Sequence, residues 1–329
     1  MATSLPPPAH MLPPRADLDA DDPSTLVRGT PEWLRRAGLV RAALEVHGCV
    51  DVKCRRAMPP ELRERMLAAM AELFALPPET KRRTGDADGP YKAYMETRDS
   101  AACRHEAFGV LNAAAGGGEE ARAFVARAWP LGNDPGDADV DGWRDDHAGP
   151  CDPRHGRRSY GLAHRSDETV AATDTNFRML RYRMDSSRTL PDELPAVGLA
   201  AHVDGSYLTV LFQNDVDGIE LKKRDGGDWV KVRPAGPDSL IVVVGQPLVA
   251  WSNGRLHAPL HRVAVGGRED RLSCGVFLLP SKDIVVDAPP ELVTADAPRR
   301  FRPFAYMDYL KFKHAAGNGE DVLDRFAGM

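Results

Sequence analysis

The sequence predicts an α+β protein in which a helical N-terminal portion leads into a β-rich core of sandwich, jelly-roll or barrel type. Three observations carry that expectation. From Phe177 onward, FRMLRYRM, YLTVLFQN, GIELKKR, DWVKVRP, SLIVVVG, LVAWS, HRVAV and RLSCGVFLLP are each of strand length. Asp225-Gly226-Gly227, Asn253-Gly254 and Gly266-Gly267 punctuate them with turn chemistry. Upstream, residues 30–77 carry helical spacing instead. A hydrophobic content of 43% can fill a real core, and no flexible linker divides the two portions.

Residues 1–28 begin with MATSLPPPAHMLPPR, proline-rich with neither a basic start nor an apolar run, and are expected to form a disordered leader rather than a secretory signal. The region 29–132 is expected to be mainly helical. Thr30 and Pro31 form a cap and first-turn pair, Trp33, Leu34, Leu39, Ala42 and Leu44 follow at helical spacing, and Gly48 ends the helix. VDVK is strand-like. PPELRERMLAAMAELFAL is amphipathic and stops at Pro77-Pro78, and EARAFVARAW is a further helix. Residues 133–158, rich in Asp, Gly and Pro, lack apolar periodicity and form an atypical polar segment. The β-rich domain occupies 159–329, and its tail FRPFAYMDYLKFKHAA packs back as a helix.

Composition narrows the partners. A net charge of −5 argues against a nucleic-acid partner, and no stretch reaches the roughly 18 apolar residues of a membrane span. No partner protein is evident. The five cysteines are odd in number and fit neither a zinc ribbon nor a disulfide framework, which points to reduced thiols in the cytoplasm.

The chemistry starts with AHVDGSYLTV. On a strand, His202 and Asp204 point to one face, as positions two apart do. A histidine from LHAPLHRVAV completes a set of two imidazoles and one carboxylate, the facial triad that holds non-haem iron(II) with open positions. His257 and His261 both compete for that third place, and Pro259 between them opposes a helix that would present both. Context favours His261. In RLS, Arg271 and Ser273 share a strand face within an apolar run, and a buried guanidinium needs an anion. A 2-oxo acid chelating iron at one end and meeting Arg271 at the other would supply it. The bland readings are a turn hydrogen bond for His-x-Asp and an exposed edge arginine for Arg271.

Together HVD, SNGRLHAPLHRV and RLS resemble the plant 2-oxoglutarate- and Fe(II)-dependent dioxygenase family, nearest the subgroup of glucosinolate side-chain-modifying and auxin-oxidising dioxygenases. The resemblance runs from FRMLRYR to FRPFAYMDYLKF and takes in ALEVHGCVDV, ELFALPPETKRR, PYKAYM, HEAFGV and WPLGN. It implies a double-stranded β-helix, the jelly roll, with flanking N-terminal and C-terminal helices. It implies His202, Asp204 and His261 as iron ligands and Arg271 and Ser273 as the seat of the distal carboxylate of 2-oxoglutarate. Tyr182 matches the tyrosine of the family's Asn-x-Tyr motif and would also touch 2-oxoglutarate, although Leu180 stands in place of the asparagine. Family members carry a long amphipathic helix where this chain has 134–158, which suggests a shifted reading frame or mis-spliced exon there.

The expected reaction consumes O2 and 2-oxoglutarate, releases succinate and CO2, and hydroxylates or desaturates a small organic molecule such as a plant hormone or specialised metabolite, with ascorbate in support. Tyr207, Phe277, Leu279 and Phe108 are candidates to line the substrate pocket, each with core packing as its alternative. Two other readings stand beside this one: an inactive paralogue that binds a small molecule or partner, and a zinc hydrolase using the same three donors.

Overall fold

The computed structural model of the chain describes residues 13–19, 27, 29–84, 94–100, 103–113, 118–129, 172–184, 195–224 and 226–329. The polar stretch 133–158, and the reading-frame expectation attached to it, lie outside them. In chain order the elements are β1 (Arg15–Asp17), α1 (Pro31–Val46), β2 (Cys49–Lys53), α2 (Pro60–Ala75), α3 (Pro78–Arg83), β3 (Met95–Ser100), β4 (Cys103–Leu111) and α4 (Glu119–Ala128). There follow β5 (Thr173–Met184), β6 (Ala196–His202), β7 (Leu208–Gln213), β8 (Ile219–Lys222), β9 (Trp229–Lys231), β10 (Ser239–Val244) and α5 (Gln246–Trp251). The chain ends with β11 (His261–Val265), β12 (Arg271–Pro280), the paired β13 (Val285–Val286) and β14 (Phe304–Ala305), α6 (Tyr306–Ala316) and α7 (Val322–Ala327). Among the described residues no helix is long and apolar enough to cross a membrane.

An eight-stranded sheet in the order β1-β2-β10-β7-β12-β5-β4-β3 faces a four-stranded sheet in the order β6-β11-β8-β9, the two-sheet jelly roll. Strand alternation divides the large sheet's two faces. Leu272 and Cys274 of β12, Met179 of β5 and Phe108 of β4 point outward into a core with Leu62, Met70 and Phe74 of α2 and Phe124 of α4. Arg271, Ser273, Tyr182 and Leu180, one position along, point inward between the sheets. The helices therefore cover the outside of the large sheet and leave its inner face for chemistry.

Local chemistry sets the element ends. The Thr30 side chain accepts from the Trp33 N–H at 3.3 Å and caps α1. Gly48, at φ +69°, ends the turn after it, where any side chain would overlap the His257 carbonyl and the Pro259 ring.

Four expectations need correction. The N-terminal region is not only helical, because β2, β3 and β4 extend the large sheet: β2 pairs with β10 and β4 with β5. Part of the expected leader is ordered: β1 pairs in parallel with β2, burying Ala16 and Leu18, and its edge position tolerates the preceding prolines. Pro77-Pro78 ends α2 but also starts α3, where proline suits a first turn. LVAWS is helical in α5 rather than a strand. Pro247 sits in its first turn, and burial on nearly every side makes it apolar all round, so the run carries no period to separate helix from strand.

A buried ion cluster ties the helical layer to the sheet's outer face. Glu106 of β4 accepts from Lys81 of α3 at 2.5 Å, from the Tyr94 hydroxyl at 2.5 Å and from the Arg181 guanidinium of β5. Burial alone would raise the Glu106 carboxyl, but these three donors outweigh it and lower it from 4.5 to about 2. Its stabilisation is therefore present above the ordinary value and is lost as pH falls toward 2. Glu106→Gln, which leaves two buried cations without their counter-charge, is expected to cost about 3 kcal/mol near neutral pH. Thermal unfolding of both proteins from pH 7 to pH 2 checks this: the Tm gap should narrow through that window, and a pH-independent gap would contradict the ionic origin.

Candidate metal centre

His202 closes β6 and His261 opens β11, and the antiparallel pairing sets the two residues opposite each other. The spacing predicts that Asp204 shares a strand with His202, and it does not. The strand ends at His202, and Asp204 lies in the turn that leads to β7. The turn brings the carboxylate back between the rings: Asp204 Oδ1 is 3.6 Å from His202 Nε2 and 3.6 Å from His261 Nε2. The ring centroids are 4.2 Å apart, and one donor atom from each of the three residues lies within 4.8 Å of the others.

The surrounding backbone orients each donor. His202 Nδ1 lies 2.9 Å from the Ala200 carbonyl and His261 Nδ1 lies 3.1 Å from that of Pro259. An Nδ1–H donated to a carbonyl leaves Nε2 as the free lone pair, aimed at the carboxylate. Thr209 Oγ1 donates to Asp204 Oδ2 at 2.5 Å, and the Gln246 N–H at the start of α5 donates to the Asp204 carbonyl at 2.9 Å. Burial opposes ionisation of Asp204, but His261 and His202 in their protonated forms, together with the Thr209 hydroxyl, outweigh it and hold its carboxyl well below the usual range. Burial, with His202 beside it, pushes His261 down to about 4 and so keeps it neutral, the form that binds a metal. Two imidazoles and a carboxylate whose donor atoms converge within 4.8 Å are a set suited to a divalent transition metal with open positions, and the arrangement fits iron(II). His257 is elsewhere, with its N–H bonded to Leu44 at the end of α1. Burial and the nearby Arg224 hold its imidazole near 4.

Beyond the triad the interior holds a buried cation. Arg271 is 2% exposed. Its guanidinium donates to Gln213 Oε1 at 2.7 Å and to Ser273 Oγ at 3.1 Å, and it lies 5.3 Å from the centroid of the Tyr182 ring. Its Nε has no hydrogen-bond partner. Burial pushes its pKa below the ordinary arginine value, the opposite of what a settled ion pair would do. The site adjoins the triad: Val263, the next inward residue along β11 from His261, flanks Gly218, where a Cβ would overlap Arg271 Cδ and Nε. Tyr182 is paired with Arg271 across β5 and β12, and it stacks on His105 with centroids 4.6 Å apart. A cation this deep with an unused donor fits the far carboxylate of a keto-diacid.

The candidate pocket residues separate. Phe277 lies on the inner face, opposite Thr209 of β7 and Asn176 of β5. Leu279 shares that face but packs at the strand's end against the C-terminal core. Phe108 and Tyr207 are corrections. Phe108 points outward, fully buried among Phe74, Tyr94 and Phe124, because alternation along β4 sends it to the helical side. Tyr207 packs with Val244, Leu248, Trp251 and Leu278. Sequence reasoning missed Thr209, Gln213 and Asn176. The last is 3% exposed with Oδ1 unpartnered. Period-two spacing from Arg271 and Tyr182 on the paired strands could have found all three.

Residues 175–280 match the model of the 2OG-Fe(II) oxygenase superfamily. A probable 2-oxoglutarate-dependent dioxygenase of Arabidopsis thaliana, AOP1.2, is 31% identical over 308 residues, 92% of each chain. The chain belongs to the 2OG-Fe(II) oxygenase superfamily. The oxygenase is also 34% identical over 291 residues to the 2-oxoglutarate-dependent dioxygenase DAO of Oryza sativa subsp. indica, covering 85% of this chain and 91% of that one. The crystal structure of the rice dioxygenase for auxin oxidation superposes with a TM-score of 0.74 at 32% identity, over 96% of the oxygenase and 99% of that chain.

Mn(II) calorimetry tests the oxygenase's donor set. Asp204→Ala should abolish binding, and Thr209→Val, which removes the partner of Oδ2, should weaken it about tenfold. His257→Ala should leave it unchanged; a loss there would mean the wrong histidine has been assigned.

Proposed function

We propose that the protein is a 2-oxoglutarate- and Fe(II)-dependent dioxygenase that hydroxylates or desaturates a small organic molecule, a plant hormone or specialised metabolite, consuming O2 and releasing succinate and CO2. The observation that carries the reading is the pairing of the His202–Asp204–His261 cluster with the buried Arg271 in the space between the two sheets. In this reading the triad holds iron, and Arg271 and Ser273 seat the distal carboxylate of 2-oxoglutarate beside Tyr182. Bound iron(II) and 2-oxoglutarate supply the oxidising chemistry, coupling decarboxylation of the keto acid to cleavage of a substrate C–H bond. The chain's own residues position the reactants and keep water out. Ala200 and Pro259 fix the imidazoles, Thr209 holds the carboxylate, and Phe277 presents an apolar wall to the substrate.

The names of the relatives support both the reaction and the substrate class, since one is a dioxygenase for auxin oxidation. An inactive binding protein would not require a complete donor set beside an unsatisfied arginine, and a zinc hydrolase leaves Arg271 without a role. Ascorbate, which keeps iron ferrous, would support turnover. The described cysteines form no disulfides, the state a reducing cytoplasm maintains.

His202→Ala and Asp204→Ala should each abolish succinate formation. Arg271→Lys should raise the 2-oxoglutarate concentration for half-maximal decarboxylation by about tenfold or more, because lysine cannot reproduce the planar paired contact. Gly218→Ala should do the same by displacing Arg271. Initial-rate measurements over a 2-oxoglutarate series check all four, and an unchanged requirement in both Arg271→Lys and Gly218→Ala would remove the assigned role of Arg271.

A further inference from the structure

A second buried cation stands beside the metal centre on the C-terminal helix. The inward face of α6 is built from Tyr306, Tyr309, Leu310 and Lys313, spaced so that all four fall on one side. Lys313 is 7% exposed, and its Nζ has no hydrogen-bond partner. Its stem lies over Gly205, where a Cβ would sit 3.5 Å from Lys313 Cδ and 3.5 Å from Cε. The helix is fastened to this turn. The Tyr306 hydroxyl donates to the Gly205 carbonyl at 3.1 Å, and the Val203 N–H donates to the Asn318 carbonyl at 3.1 Å. Gly205 follows Asp204 directly, so the stem of Lys313 runs along the turn that carries the carboxylate, on the metal-centre side of α6.

An unpaired buried ammonium is costly, and a leucine or methionine would pack here at lower free energy. A charge tally indicates what it is for. Ferrous iron and Arg271 together balance Asp204 and the two carboxylates of 2-oxoglutarate, with both imidazoles neutral. Lys313 is then one positive charge in excess, and one further negative charge would neutralise it. Ammonium on a four-bond stem can turn to meet an incoming anion without moving the helix. We propose that Lys313 is the anion receptor for the primary substrate, and that this substrate is a small carboxylic acid whose carboxylate pairs with the lysine while its apolar body lies against the inner face. The inference rests on the dioxygenase reading and adds the class of molecule that it oxidises.

The test uses the full chain loaded with Mn(II) and 2-oxoglutarate. It is screened by thermal shift against arylacetic, cinnamic and medium-chain aliphatic acids, each beside its primary amide, and Kd is measured by calorimetry for those that bind. The preferred acids should bind about tenfold or more tightly than their amides, as a charge-assisted contact requires. Lys313→Met should erase that preference, Lys313→Gln should do the same, and Lys313→Arg should keep part of it. Lys313→Met should also leave the Tm of the ligand-free protein unchanged or raise it, because it removes an unpartnered charge. The proposal is overturned if no acid is preferred to its amide, if the preference survives Lys313→Met and Lys313→Gln, or if the ligand-free Tm falls in both variants. It is also overturned if these variants loosen 2-oxoglutarate itself, which would assign the lysine to the co-substrate. If Mn(II) with 2-oxoglutarate gives no shift in the wild type, the dioxygenase reading falls and this inference with it. If that shift is present and the acid preference is missing, only the role of Lys313 falls.

Discussion

The carboxylate of Asp204 is the point on which the structure depends. It is 6% exposed, carries a negative charge, and sits in a turn rather than in a strand, so its own backbone cannot hold it. Other elements do. The start of α5 grips its carbonyl, Thr209 of β7 grips one carboxylate oxygen, and the other oxygen faces the two imidazoles. Gly245 lies so close to the Ser206 and Asp204 carbonyls that a side chain there would overlap them. The C-terminal helix closes the turn from outside through Gly205 and Val203. A carboxylate constrained from this many directions loses little freedom when it takes a metal, which is what preorganisation means for a metal centre.

Buried charges divide by whether they are satisfied. On the outer face of the large sheet Glu106 is surrounded by donors, and the cluster joins the helical layer to the jelly roll. Nothing is left over, so that cluster explains itself as structure. On the inner side Arg271 has an unused donor and Lys313 has an unpaired ammonium. Evolution rarely leaves a buried cation short of a partner where packing is the only demand, because desolvation makes the deficit expensive. The same rule separates what holds the fold together from what waits for a ligand.

The jelly roll suits this division. Strand alternation sends neighbouring residues of β12 to opposite destinations: Leu272 and Cys274 enter the helical core, while Arg271 and Ser273 enter the space between the sheets. One strand therefore builds stability and chemistry at once. The facing four-stranded sheet brings the end of β6 and the start of β11 together, so donors distant in sequence arrive at one place between the sheets.

Much of this was legible in the sequence. Strand-length runs with glycine turns marked the strands, helical spacing marked α1 and α2, and His-x-Asp and Arg-x-Ser named donors whose chemistry has few other uses. These features depend on local period and residue type, which a short window of sequence contains. Tertiary structure decided the rest: Asp204 in a turn, α5 as a helix, Phe108 facing outward, and Lys313 of the C-terminal helix lying against Gly205. Each of these depends on how two sheets and a terminal helix meet across long sequence separations. The register and crossing that bring such residues together are properties of the packed whole, and no local run of residues encodes them.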